Sequence, residues 1–81
     1  MKITMYSTTS CVTCKGLGDW LNQNGYEYTK KMADADEAVM AEFMSLNDGM
    51  IGVPFTVIDD DGMITKISGY DRKAFKTALS I

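Results

Sequence analysis

The chemistry in this sequence is concentrated in one stretch, Ser10-Cys11-Val12-Thr13-Cys14-Lys15, which holds both cysteines of the 81-residue chain. Cysteines three positions apart can close a disulfide, because a helix start brings their Cα atoms within bridging range. A short apolar run precedes the pair and an amphipathic one follows, so the pair is expected at a strand-to-helix turn. There the unpaired N–H groups and the helix dipole favour negative charge, and Cys11 is expected to ionise more readily than a free cysteine. The thiolate is the nucleophile in thiol–disulfide exchange. The chain contains no histidine, so activation has to come from the helix terminus, the Cys14 S–H, the Thr13 hydroxyl or the Lys15 ammonium. These residues predict dithiol–disulfide exchange, with Cys11 attacking and a more buried Cys14 resolving. Lys15 reads as a solvent-facing helix residue.

Two cysteines cannot build a disulfide-rich secreted scaffold, and a bridge across four residues closes too small a loop to stabilise much. The length suits a single domain, 1–81, near the lower limit for a self-sufficient core. No apolar run is long enough to cross a membrane. The first residues lack a signal peptide's apolar region and cleavage site. A cytoplasmic protein is therefore expected, where a lone C-x-x-C is more often redox-active or metal-binding than structural. The net charge is −3, and Lys30-Lys31 and Arg72-Lys73 are pairs rather than stripes, which argues against nucleic acid as a partner.

The elements that must position the pair follow from periodicity. Lys2 to Tyr6 alternates as a strand. A helix from Cys11 or Val12 to Asn24, with Ser10 as N-cap, buries Cys14, Leu17 and Leu21, with Trp20 extending the stripe. Asn24-Gly25 closes that helix, and Gly16 and Gly18 allow close packing against a sheet. Tyr26 to Met32 alternates as an edge strand, which makes a right-handed parallel βαβ unit. Asp34 with Glu37 resembles a capping box opening a second helix, whose stripe is Val39, Phe43 and Leu46, widened by Met40 and Met44. Asn47-Asp48-Gly49 ends it. Pro54 belongs at the beginning of the next strand, because proline cannot donate to a ladder. The Asp59-Asp60-Asp61-Gly62 turn leads into a strand from Met63 to Ser68 and completes a hairpin. Asp71 caps a last helix that buries Ala74, Phe75, Ala78 and Leu79. Tyr6, Trp20, Tyr26, Tyr28, Phe43, Phe55 and Phe75 read as core aromatics, and Tyr70 as the rim of a groove. The predicted order is β-α-β-α-β-β-α around a four-stranded mixed sheet flanked by three helices, an α/β fold.

Three motifs in register resemble a glutaredoxin: Cys11-Val12-Thr13-Cys14 after the first strand, Gly52-Val53-Pro54 before the third, and Ser68-Gly69-Tyr70-Asp71 after the fourth. The resemblance spans the chain and is strongest to small phage-type glutaredoxins and NrdH-redoxins. It implies a thioredoxin-like fold, a cis Pro54 facing the cysteines, and a Val53 backbone that pairs with an extended substrate. It also implies a Gly69-Tyr70-Asp71 turn that accepts a carboxylate of glutathione, with Val12 and Thr13 beside the bound thiol. The implied activity is reduction of protein disulfides or glutathione mixed disulfides, with ribonucleotide reductase as the family's leading substrate. No cofactor is held permanently, and the chain is expected to be a monomer.

Departures from the glutathione-dependent pattern leave the electron source open between glutathione and thioredoxin reductase. Val12-Thr13 stands where Pro-Tyr is common. Ser7 to Ser10 carries no lysine, Ser68-Gly69 replaces a Gly-Gly pair, and Met50-Ile51 lacks a basic residue. Two rival readings remain at this stage. One is a zinc or iron–sulfur site made by pooling C-x-x-C pairs in a dimer, since one chain offers only half a ligand set. The other is an interaction domain in which the cysteines are incidental.

Overall fold

The computed structural model describes residues 1–49 and 52–81, so the Met50-Ile51 expectation lies outside the described residues. Seven elements follow in order: β1 (Lys2–Ser7), α1 (Val12–Gln23), β2 (Thr29–Met32), α2 (Glu37–Leu46), β3 (Phe55–Asp60), β4 (Met63–Ser68) and α3 (Arg72–Leu79). The sheet order is β2-β1-β3-β4. β1 and β2 are parallel, and the β1–β3 and β3–β4 pairs are antiparallel. This is the predicted order of elements and the predicted mixed sheet.

Strand alternation divides the core between the two faces of the sheet. Ile3, Met5, Ile58 and Ile67 pack with Cys14, Leu17 and Leu21 of α1 and with Phe75 and Leu79 of α3. On the other face Tyr6 and Phe55 meet Phe43 of α2. Tyr6 and Phe43 stack at 5.5 Å between centroids, and Phe43 and Phe55 tilt together at 5.6 Å. The Tyr6 hydroxyl donates to Glu42 Oε2, which also accepts from Lys31 Nζ at 2.8 Å, tying α2 to β1 and β2. Burial, and then the neighbouring Glu42 carboxylate, push the Tyr6 phenol well up. Hydrogen bonds from Lys31 and then Tyr6 hold the Glu42 carboxyl below its usual range.

Several local expectations are corrected. The N-cap of α1 is Cys11 rather than Ser10. Asp36, not Asp34, caps α2 through Ala38 N at 2.9 Å. Asp34 is drawn away because its carboxylate accepts from Thr9 N at 3.0 Å and from the Thr9 hydroxyl. β2 begins at Thr29 instead of Tyr26: the Tyr26 amide donates to Leu21 O at 2.9 Å, closing α1, and its hydroxyl donates to Leu79 O at 3.2 Å. Trp20, Tyr26 and Tyr28 are half-buried, whereas Tyr6, Phe43, Phe55 and Phe75 are buried. Met44 falls off the buried stripe of α2 and is 39% exposed. The hairpin turn narrows to Asp61-Gly62, both with positive φ (52° and 90°), the two-residue geometry that matches strand twist.

One polar atom sits badly in this core. Thr56 is fully buried on β3, between Met5 and Ile67, and among the described residues its Oγ1 has no hydrogen-bond partner. An unpaired buried hydroxyl forfeits its hydration without recompense. Thr56→Val, which keeps the shape and removes the hydroxyl, is expected to stabilise the fold by about 1 kcal/mol. In thermal unfolding that is a rise in Tm of about 4–8 °C for a domain of this size. An unchanged or lowered Tm would show that the hydroxyl is satisfied in solution.

Candidate active site

The site is assembled at the β1–α1 junction. β1 runs to Ser7, the loop turns through Thr8-Thr9-Ser10, and Asp34 pins it by accepting from the Thr9 amide and hydroxyl. Cys11 then adopts extended backbone (φ −86°, ψ 99°) as the N-cap. Its Sγ accepts from Cys14 N at 3.1 Å. That bond puts an otherwise orphaned helix N–H on the sulfur.

Cys11 and Cys14 form a disulfide with 5.3 Å between their Cα atoms. The two sulfurs belong to unequal environments. Cys14 is 1% exposed within the main core, while Cys11 is only half-buried and Val12 beside it is 83% exposed. Thr13 is exposed on the first turn of α1. An incoming disulfide can therefore reach Cys11 and cannot reach Cys14 without rearrangement.

The second and third motifs converge on the same end of the fold. The Val53–Pro54 peptide is cis, as the resemblance implied, and Pro54 is buried. Pro54 O accepts from Gly69 N at 2.8 Å, which joins the loop before β3 to the turn after β4. Gly69 holds φ 76°, a conformation glycine adopts at little cost. Tyr70 then reaches back to α1. Its ring lies 6.3 Å from Trp20, and a Cβ on Gly16 would sit 3.4 Å from its Cε2. Gly16 is thus a contact point for Tyr70 rather than for the sheet, and Gly18 likewise faces Tyr28. Val53, Cys11 and Tyr70 all pack against the cluster that contains Cys14. Asp71 caps α3, accepting from Ala74 N at 3.1 Å. Its carboxylate is committed to the helix, so a ligand carboxylate at this turn would meet backbone N–H groups.

A further feature escaped the motif reading. A cavity of about 670 Å³ opens beside Cys11 on the side toward β2, lined in part by Lys15, Asp19, Tyr28 and Lys30. Its signal was present in two unjoined patterns, the i, i+4 series 11, 15, 19 on α1 and the alternation 28, 30, 32 toward β2. Only their juxtaposition makes a cavity. Among the described residues, no group of three or more His, Cys, Asp or Glu side chains could hold a metal ion. Among them also, no helix is long and apolar enough to cross a membrane.

A C-x-x-C pair capping the first helix, a cis proline just before β3 and this sheet order define a thioredoxin-like thiol–disulfide oxidoreductase. The glutaredoxin family model matches residues 3–63, and the chain belongs to the glutaredoxin family. Among solved structures it is similar to the glutaredoxin from Methanosarcina mazei Go1, with 25% identity and a TM-score of 0.78 over 99% of this chain and 79% of that one. It is also similar to a T8A mutant of the thioredoxin-like protein BC3987 (23% identity, TM-score 0.79, covering 96% and 99%). A third similar structure is the glutaredoxin-like NrdH-redoxin from Escherichia coli (21% identity, TM-score 0.73, covering 95% and 93%). No curated protein matches the sequence. Family membership with the C-x-x-C pair carries the dithiol oxidoreductase reading over the reading in which the cysteines are incidental.

Proposed function

We propose that this glutaredoxin reduces polypeptide disulfides and glutathione mixed disulfides through Cys11, with glutathione returning the pair to the dithiol. The observation that carries the assignment of roles is the unequal burial of the two sulfurs, Cys11 half-buried at the helix terminus and Cys14 1% exposed. The Cys11 thiolate attacks one sulfur of the substrate, forming a mixed disulfide and releasing the other as a thiolate that takes up a proton. Cys14 loses its proton and attacks Cys11 Sγ, forming the intramolecular disulfide and releasing the second substrate thiol. Two electrons pass from the pair to the substrate. Val12, Thr13 and the Val53 backbone receive the substrate, with Pro54 behind them. Gly69, Tyr70 and Asp71 form the far wall, where backbone N–H groups meet the carboxylate of the glutathione γ-glutamyl group. Ribonucleotide reductase is the protein substrate to test first, in a cytoplasmic setting.

A second reading has its own support. The similar NrdH-redoxin is described as having a thioredoxin-like activity profile, and Val12-Thr13 between the cysteines, with Ser68-Gly69 in the turn, departs from the glutathione-dependent pattern. The test is NADPH oxidation with a small mixed disulfide, supplied in one arm with glutathione and glutathione reductase and in the other with thioredoxin reductase. Turnover in the first arm is expected. Turnover in the second arm alone would replace glutathione by the flavoprotein as reductant.

A further inference from the structure

The cavity beside Cys11 lies on the opposite side of α1 from Tyr70 and the Pro54 loop, and its position follows from the register. In the parallel β1–β2 pair Lys30 lies opposite Met5 and Met32 opposite Ser7. Paired residues share a face, and Met5 belongs to the cluster beneath α1. Lys30 and Met32 therefore face the flank of α1, whereas Lys31, opposite Tyr6, faces α2 and pairs with Glu42. On the helix side Cys11, Lys15 and Asp19 follow one another a turn apart, and all three line the cavity. Tyr28 sets the far end, since its hydroxyl occupies the space a Cβ on Gly18 would need, 2.0 Å from that position.

Charge is unevenly distributed along this channel. Asp19 lies at the Tyr28 end, while Lys15 and Lys30 lie nearer the sulfur. Among the described residues neither lysine is in an ion pair, the Lys31–Glu42 bridge being the one formed. The chain as a whole carries −3, so two unpaired ammonium groups beside the half-buried sulfur are a local reversal of sign. Cys11 itself lines the cavity, so a polypeptide joined to it has the cavity within reach.

We propose that the cavity is a substrate subsite that takes the carboxylate of an acidic residue flanking the target cysteine in a polypeptide disulfide. The proposal rests on the exchange reading above and adds a selection rule to it. Lys15 and Lys30 supply the attraction, Met32 the apolar floor for the side-chain stem, and Asp19 disfavours a carboxylate that goes too deep.

The test uses the pre-reduced protein in single turnover, so that no external reductant enters. Three peptides with an internal disulfide are compared, identical except for Asp, Asn or Lys next to the attacked cysteine. The Asp peptide is expected to be reduced roughly threefold faster than the Asn peptide, the size an exposed ion pair confers, and the Lys peptide slowest. The differences should collapse in about 0.5 M salt, where exposed charges are screened. Lys30→Glu, an exposed change on β2 away from the helix that carries the cysteines, is expected to invert the order. Equal rates for the three peptides, or an order unchanged in Lys30→Glu, would overturn the subsite and leave the exchange chemistry standing. Reduction of none of them would overturn both.

Discussion

Cys11→Ser is expected to abolish disulfide reduction, a loss of at least about a thousandfold, because a serine hydroxyl remains protonated and a poor nucleophile at neutral pH. Cys14→Ser is expected to behave differently. It still attacks through Cys11, but nothing on the protein can then displace the bound polypeptide. With a polypeptide disulfide it should stop as a covalent adduct, visible as a higher-mass band on a non-reducing gel and dispersed by added thiol. With a glutathione mixed disulfide, where free glutathione can release Cys11, part of the turnover should remain. The asymmetry rests on burial: Cys14 is 1% exposed and Cys11 half-buried. An adduct formed by Cys11→Ser and not by Cys14→Ser would reverse the two roles.

The second large effect lies on the opposite face of the sheet. Phe43 is fully buried between Tyr6 and Phe55 and is the only buried side chain that α2 contributes. Phe43→Ala removes an aromatic ring from the middle of the second core cluster, a change that costs about 3–5 kcal/mol. Small domains have only about 5–15 kcal/mol in total, so the variant should be close to unfolding near body temperature. The measurement is urea or thermal unfolding beside Met44→Ala, which lies on the exposed side of the same helix and should change stability by no more than about 0.5 kcal/mol. Similar losses in both variants would mean that α2 docks through a broader stripe than this packing shows. The redox pair sits on the other face, so a destabilised Phe43→Ala that remains folded at low temperature should still exchange disulfides.

What could be read from the residues alone was whatever is set by near neighbours in the chain. The C-x-x-C at a strand–helix turn, the Asn24-Gly25 helix end, the Asp71 cap and the hairpin before α3 depend on a few consecutive residues, and each was found where expected. The buried stripe of α1 was legible for the same reason, since its period follows from helix geometry. Local signals misled where a distant partner competed for the same group. Asp34 looks like a helix cap, but the Thr9 amide and hydroxyl, 25 positions away, claim its carboxylate and leave the cap to Asp36. Tyr26 looks like a strand residue, but Leu79 O, 53 positions away, takes its hydroxyl, while its amide closes α1 on the nearby Leu21 O.

The composition of the site is a mixture of both kinds. Cys11 and Cys14 are neighbours in sequence, so their chemistry was visible at once. The meeting of Pro54 with Gly69, the return of Tyr70 onto Gly16 and the charged cavity between α1 and β2 arise only when strands far apart in the chain are set side by side. Sequence by itself thus determined that this protein carries a reactive thiol pair at a helix terminus. Only the packing of three helices on a mixed sheet decided what the outward sulfur meets and which charges stand beside it, because juxtaposition is a property of surfaces that no single segment possesses.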